Sequence, residues 1–454
     1  MRHASSLERH TYRGEYYTIN GFDTNIFKMK IQKRAARAPY RPQSRGIFFL
    51  LFWCVLLTHP TMAQKNILQQ ILKQHSADWD TLLRQPEKYQ VQIVYTQIDR
   101  DAQNRPAFKT FTHGVDTNLY FYPASTIKMP TALLALEKIN SLSIKDLDKN
   151  SFMITGAGRY PQRPVVEDTS AENGMPSVAH YIRKVFLVSD NDAHNRLYEF
   201  LGQAQLNQQL YEKGYRSSRI LHRLSVSGFD AEGNRHTNPV SFNGPNKLLY
   251  HQGEVYSQWA ANLNLRQQVR GKGYENSEGN IVNEPFDFRE RNFISILDLH
   301  RILTAVMLPE GVASHERFHL TEDDYRFVWQ CMSELPRESR YPQYQAPNYW
   351  DSYVKFLLFG DSKEPMPNNI RIFNKVGVAY GFLTDIAYVV DFDNKVEFLL
   401  SATIHVNENQ IYNDGVYEYE TIGHPFLAKL GRAVHAYEKT RPRKYAPDLS
   451  KYQR

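Results

Sequence analysis

The stretch Phe121-Tyr122-Pro123-Ala124-Ser125-Thr126-Ile127-Lys128-Met129-Pro130 sets a serine and a lysine three residues apart at the opening of a predicted helix over about 125–139. Residues at i and i+3 share a helical face, so the Ser125 hydroxyl and the Lys128 amine can meet. A serine hydroxyl is a weak nucleophile until a neighbour takes its proton. A lysine does so only where burial or a second cation lowers its pKa. The spacing alone proves nothing, because Ser352-Tyr353-Val354-Lys355 repeats it.

Two further patterns lie downstream. Leu187-Val188-Ser189-Asp190-Asn191 ends an amphipathic pattern in a short polar turn that can project a hydroxyl and an amide into a cleft, although Ser189 or Asp190 can equally serve as an N-cap. Asn374-Lys375-Val376-Gly377-Val378 reads as a strand whose glycine lets a ligand approach the backbone closely. Each pattern has a decoy, Ser241-Phe242-Asn243 for the second and Lys429-Leu430-Gly431 for the third. Weight therefore rests on the combination: S-x-x-K opening a helix after a hairpin, then S-D-N, then K-x-G on a strand before a second hairpin.

Outward from these patterns, Gln90 to Ile98 alternates like a strand, Asp99 to Pro106 supplies a turn, and Ala107 to Thr112 returns. Near the other end, strands are predicted at Ile370 to Val378, Thr384 to Phe392 and Val396 to Val406. Lys65 to Leu83 carries apolar residues at helical spacing, and helices are predicted at about 178–188, 191–202, 293–307, 321–334 and 421–437. The expected fold is α+β. One antiparallel sheet of about five strands, drawn from both chain ends and flanked by terminal helices, encloses an inserted all-helical subdomain. Residues 241–291 and 336–369 are polar, aromatic and poorly periodic, and read as insertions. Tyr344, Tyr349, Trp350 and Tyr353 in the second would suit a binding lip, but scattered aromatics on a surface loop are the simpler reading.

Composition excludes several classes. With 454 residues, 42% hydrophobic and 23% charged, the chain is sized for one enzyme unit with insertions. Its net charge of +7 lies in residues 1–63, which hold 10 Lys and Arg against 3 Asp and Glu, so the balanced remainder offers little drive toward nucleic acid. The apolar run Ile47 to Leu57, preceded by basic residues and followed by Thr61-Met62-Ala63, reads as an export signal cleaved after Ala63. Residues 1–28 read as an over-extended start, and Cys54 as an apolar residue of the signal rather than a lipid acceptor. The expected mature protein is periplasmic or secreted, with no integral membrane segment, a hydrolase domain over 64–440 and a tail over 441–454. Only Cys331 then remains, so no internal disulfide and no cysteine-based zinc site can form. His194 and His300 lack metal-ligand spacing; no metal and no cofactor is expected.

The three patterns, with Gly381 and Asp385-Ile386-Ala387 beyond the last, resemble the active-site segments of the penicillin-recognising serine hydrolases, and specifically of the class A β-lactamase family, over roughly Asn66 to Lys439. The resemblance implies roles. Ser125 attacks an amide carbonyl, Lys128 takes or relays its proton, and Ser189 passes a proton to the leaving nitrogen. Lys375 supplies charge for a substrate carboxylate and helps hold Lys128 neutral, while Asn191 binds the substrate's amide side chain. Gly377 lets the substrate close on the strand, and the N–H groups of Ser125 and Val378 form the oxyanion hole. Tyr160 lines the cleft in this reading, unless it is a surface tyrosine.

Two departures bear on substrate. Val376 stands where the family carries a threonine or serine, so Thr384 or Tyr380 is left to supply the missing hydroxyl, both being also readable as ordinary strand and turn residues. The family's Glu-x-x-Leu-Asn segment, whose glutamate activates the deacylating water, is not found. Leu221 to Val240 offers only Asp230 and Glu232, which a turn rich in Gly, Asp and Asn explains more simply. The expected function is an exported, monomeric serine hydrolase acting on a β-lactam or peptide-like amide. The alternatives are a peptidase, amidase or esterase on cell-wall substrates and a non-catalytic binding protein on the same fold. Retention of Ser125, Lys128, Ser189, Asn191 and Lys375 argues against the last.

Overall fold

The computed structural model describes residues 66–453; the export signal, its cleavage site and Cys54 lie outside them. Five antiparallel strands form the central sheet in the spatial order Ile370–Ala379, Phe382–Asp391, Val396–His405, Gln92–Arg100, Pro106–His113. Both chain ends therefore contribute to one sheet, and Gln92 pairs with Thr403 where they meet. The expected α+β architecture is present.

Alternation along the strands explains why both faces are covered. Leu383, Ala387 and Val389 pack into one apolar cluster, whereas Phe382, Ile386, Tyr388 and Val390 pack into the other. On the first face lie the terminal helices: Leu68, Ile71 and Leu72 from Ile67–Gln74, and Phe426, Leu427, Leu430 and Val434 from His424–Thr440. The second face carries the helical subdomain, built from Lys128–Leu142, Val178–Leu187, Asn191–Leu201, Gln203–Glu212, Ile296–Met307 and Glu322–Ser333. Among these, Gln203–Glu212 is absent from the sequence reading. The predicted helix over 293–307 starts later, at Ile296, because Phe293–Ile294 pairs as a short strand with Ser218–Arg219.

His300 is wholly buried between two hydroxyls, Thr96 Oγ1 and Ser401 Oγ, each at 2.8 Å, and burial pulls its imidazole down to about 3. It is a neutral core histidine. The second S-x-x-K pattern is structural: Lys355 Nζ donates to Met332 O and Asn374 Oδ1, both at 2.7 Å, and Asn374 Nδ2 donates to Asp385 Oδ1 at 2.8 Å. Val354, Phe356, Leu357 and Leu358 in the same segment join the terminal helices' face. That part of the 336–369 insertion covers the back of the sheet. Beyond Thr440, Tyr452 returns to the core, its hydroxyl on Met307 O at 2.7 Å. No helix among the described residues is long and apolar enough to cross a membrane.

Candidate active site

Ser125 sits in a single 3-10 turn, Ala124–Ile127, that runs directly into the helix Lys128–Leu142. Pro123 O closes the turn by accepting from both the N–H (3.0 Å) and the hydroxyl (2.7 Å) of Thr126. Beside the turn runs Ile370–Ala379, the edge strand of the sheet. A Cβ added to Gly377 would lie 2.4 Å from Pro123 O and 3.3 Å from Ala124 Cβ, so only glycine allows this approach. Gly377→Ala is expected to push the turn and strand apart, lowering stability by roughly 1–3 kcal/mol and slowing any reaction of Ser125 at least about tenfold. Thermal unfolding and the rate of covalent labelling check this; a variant unchanged in both would show the contact to be unimportant.

Between the helices Val178–Leu187 and Asn191–Leu201, Asp190 is the N-cap, its carboxylate accepting from Ala193 N at 2.8 Å. Ser189 is thereby spared the capping role. It adopts a left-handed conformation, φ 61°, rare for a residue with a side chain. Its hydroxyl lies between two amines, Lys375 Nζ at 2.8 Å and Lys128 Nζ at 3.4 Å. Lys128 Nζ also donates to Asn191 Oδ1 at 2.7 Å and to Ser189 O. The contact with Ser125 that helical spacing allows is not among these hydrogen bonds.

Both lysines are buried, and burial is the main force on each. It pulls the Lys128 ammonium down to about 7, opposed by the charge of Asp190. Lys375, 1% exposed, is held well below its ordinary value by burial first and then by the charges of Lys128 and Lys355. Its remaining hydrogen bond goes to Val376 O at 3.0 Å. His194, also fully buried, has no hydrogen-bond partner on either ring nitrogen among the described residues.

Ser125 and Asn191 open onto a cleft of about 1120 Å³. Val378 to Tyr380 form one wall, with Val378 39% exposed. Residues 221–226 and 229–231 form another, Asp287 and Glu290 with Arg289 and Arg291 a third, and Asn413, Gly415 and Tyr417 complete the rim. The 221–238 segment is pinned from below. Arg223 Nε donates to buried Glu199 Oε1 at 2.9 Å, and Asn195 exchanges hydrogen bonds with Leu224 N and O at 2.8 and 2.9 Å. His222 faces the cleft with both nitrogens engaged, Nδ1 with Arg223 O at 2.6 Å and Nε2 accepting from Asn292 N at 3.2 Å. Burial draws it down to about 4, so it is a neutral wall residue stacked on Tyr122.

The structure brings Ser125, Lys128, Ser189, Asn191, Lys375, Gly377 and Val378 together, keeps Tyr380 and Asp230 on the cleft wall, and sets Thr384, Tyr160 and Glu232 apart. Thr384 is fully buried and shares a hydrogen bond with Thr403 at 2.7 Å, so it is an interior strand residue and no substitute for the missing hydroxyl. Tyr160 is 94% exposed and outside the cleft lining, the surface tyrosine of its two alternative readings. Tyr380 does line the cleft, at φ 54° and edge-on to Tyr122 at 5.0 Å. Asp230 lines it too, but as the N-cap on Gly233 N at 2.6 Å, whereas exposed Glu232 lies outside the lining, 3.5 Å from His236. Neither carboxylate is a hydrogen-bond partner of Lys128. The aromatic group Tyr344, Tyr349, Trp350 and Tyr353 clusters on itself and contributes nothing to the lining. His222, Arg291 and Tyr417 are cleft residues that no sequence pattern singled out. Among the described residues no three His, Cys, Asp or Glu side chains converge as a metal site.

A family model described as the β-lactamase enzyme family matches residues 76–437. No curated protein sequence matches the chain. Among solved structures the chain is similar to a β-lactamase from Sphaerobacter thermophilus (12% identity, 83% of this chain and 98% of that one, TM-score 0.43). It is also similar to PBP-A (17% identity, 83% and 97%, TM-score 0.43) and to a β-lactamase from Xanthomonas campestris pv. campestris (13% identity, 82% and 98%, TM-score 0.44).

Proposed function

Because the chain belongs to the β-lactamase enzyme family, we propose that it is an exported serine hydrolase that opens a β-lactam or related amide through an ester on Ser125. The observation that carries this reading is the Ser189 hydroxyl suspended between the Lys128 and Lys375 amines, beside a nucleophile that faces a cleft. Lys128, near neutrality at about 7, is suited to accept the Ser125 proton once its amine swings from Ser189 O toward Ser125 Oγ. Ser189, held by Lys375, then hands a proton to the leaving nitrogen. Asn191 positions the substrate amide, and the N–H groups of Ser125 and Val378 stabilise the oxyanion, each by roughly 3 kcal/mol.

A second reading concerns turnover. The acceptors around Lys128 are oxygens of Ser189 and Asn191, with no carboxylate among them, and that favours a peptidase or amidase whose penicillin ester persists. Intact mass followed over time with benzylpenicillin tests both. The expected result is an adduct equal to the whole antibiotic, mapped by digestion to Ser125. Decay with released product supports a β-lactamase and persistence supports the peptidase-like reading, while an unlabelled protein would remove the acyl-enzyme proposal.

A further inference from the structure

We infer that Arg291 makes this cleft selective for amides whose acyl side carries a carboxylate, an inference that rests on the Ser125 reading proposed above. Four arginines line the cleft, and three are already engaged. Arg223 is bound to Glu199, Arg235 donates to Ser257 O at 2.9 Å and Trp259 O at 3.0 Å, and Arg289 grips Asp287. Arg291 differs. Its guanidinium rests 5.5 Å over the Phe286 ring and has no acceptor for its N–H groups among the described residues. A guanidinium with its face on an aromatic ring and its edges unpaired presents the planar fork that binds a carboxylate through two hydrogen bonds.

Position decides which half of the substrate meets it. Ser189 and Lys375, which serve the leaving nitrogen in the proposed mechanism, are outside the cleft lining; Lys375 is buried and its amine is already committed to Ser189 Oγ and Val376 O. Tyr122, Tyr380 and Arg291 line the same cleft as Ser125, Asn191 and Val378, and with Asn191 holding the substrate amide in the proposed mechanism, it is the acyl half that meets them. Arg291 lies close enough to Tyr122 and His222 for its charge to act on both. The competing anions are occupied or solvated: Asp287 holds Arg289, Asp230 caps its helix, and Glu290 is exposed.

Penicillins that share one nucleus and differ in the side chain test this. Benzylpenicillin has no side-chain charge, carbenicillin adds a carboxylate beside the amide carbonyl, an adipyl penicillin carries one on a longer tether, and ampicillin carries an amine. The native protein is expected to acylate fastest with one of the two acids, by roughly 10- to 100-fold over benzylpenicillin, with ampicillin slowest. Arg291→Gln should erase the preference, bringing the rates with both acids down to the rate with benzylpenicillin in the same variant. Arg291→Lys should keep part of it, and Arg291→Glu should reverse it toward ampicillin. Equal rates for acids and benzylpenicillin in the native protein, or a preference that survives in Arg291→Gln, would overturn the inference. Calorimetric binding of the same compounds to Ser125→Ala separates it from the reading beneath it. If the native protein never labels, the acyl-enzyme reading fails, and a binding preference for acids that Arg291→Gln abolishes still upholds Arg291; its absence overturns Arg291 as well.

Discussion

Lys128→Met is expected to slow acylation of Ser125 by about 10³- to 10⁴-fold while leaving the thermal midpoint at or above that of the native protein. In the proposed mechanism the buried amine takes the Ser125 proton, and a methionine of similar length fills its space without a charge to desolvate. The pH dependence separates loss of a base from loss of shape. Burial lowers Lys128 to about 7, so its reactive neutral form is scarce at pH 5 and dominant at pH 8. The native acylation rate should therefore rise with pH through about 7 and level off above it, while the variant's profile stays flat. A methionine variant that still rises through about 7 would assign that titration to another group.

Glu199→Gln is expected to cost about 3–5 kcal/mol in stability, as removal of one partner from a buried ion pair does. Glu199 and the Arg223 side chain are each about 1% exposed, and Arg196 Nη2 joins the same carboxylate oxygen at 3.0 Å. Burial pushes the Glu199 carboxyl above its usual range, opposed by those two guanidiniums, so neutralising it strands positive charge in the interior. The loss should be local as well as global, because Arg223 also ties the cleft wall to Asn238 Oδ1 and His236 O. Hydrogen exchange over residues 221–238 should speed up more than exchange in the central sheet. A denaturation midpoint equal to the native one, with unchanged protection of that segment, would refute the assignment.

The sheet and the lysine–serine centre were legible because short-range pattern and long-range contact agree there. Alternation marks the strands at both ends, and the polar turn at Ser189 interrupts two amphipathic helices. The helix Gln203–Glu212 escaped because QAQLNQQLYE shows only Leu206 and Leu210 as a sparse apolar stripe, and those two side chains are its buried apolar contribution. Thr384 was open to two readings, and the fold makes it the ordinary strand residue. Opposite Gly377 in the register, it looks adjacent to the site, but its side chain is taken up by Thr403 on the next strand. Arg291 sits in Asp287-Phe288-Arg289-Glu290-Arg291, where alternating charge reads as a solvated loop. Which of two arginines is paired is settled only by the fold, through Asp287 choosing Arg289.

The pairing of Gln92 with Thr403 also governs when the site can exist. The Ser125 turn is made early and packs at Gly377 against the edge strand that carries Lys375, which is synthesised late, so no partial chain holds both. The central strand Gln92–Arg100 has one neighbour close in sequence and another that arrives only near the end, across a very long loop. Closing that loop is entropically costly and makes for slow, highly non-local assembly. Under the proposed mechanism, a chain of this design would stay chemically silent throughout its synthesis and become reactive only when its two ends have met.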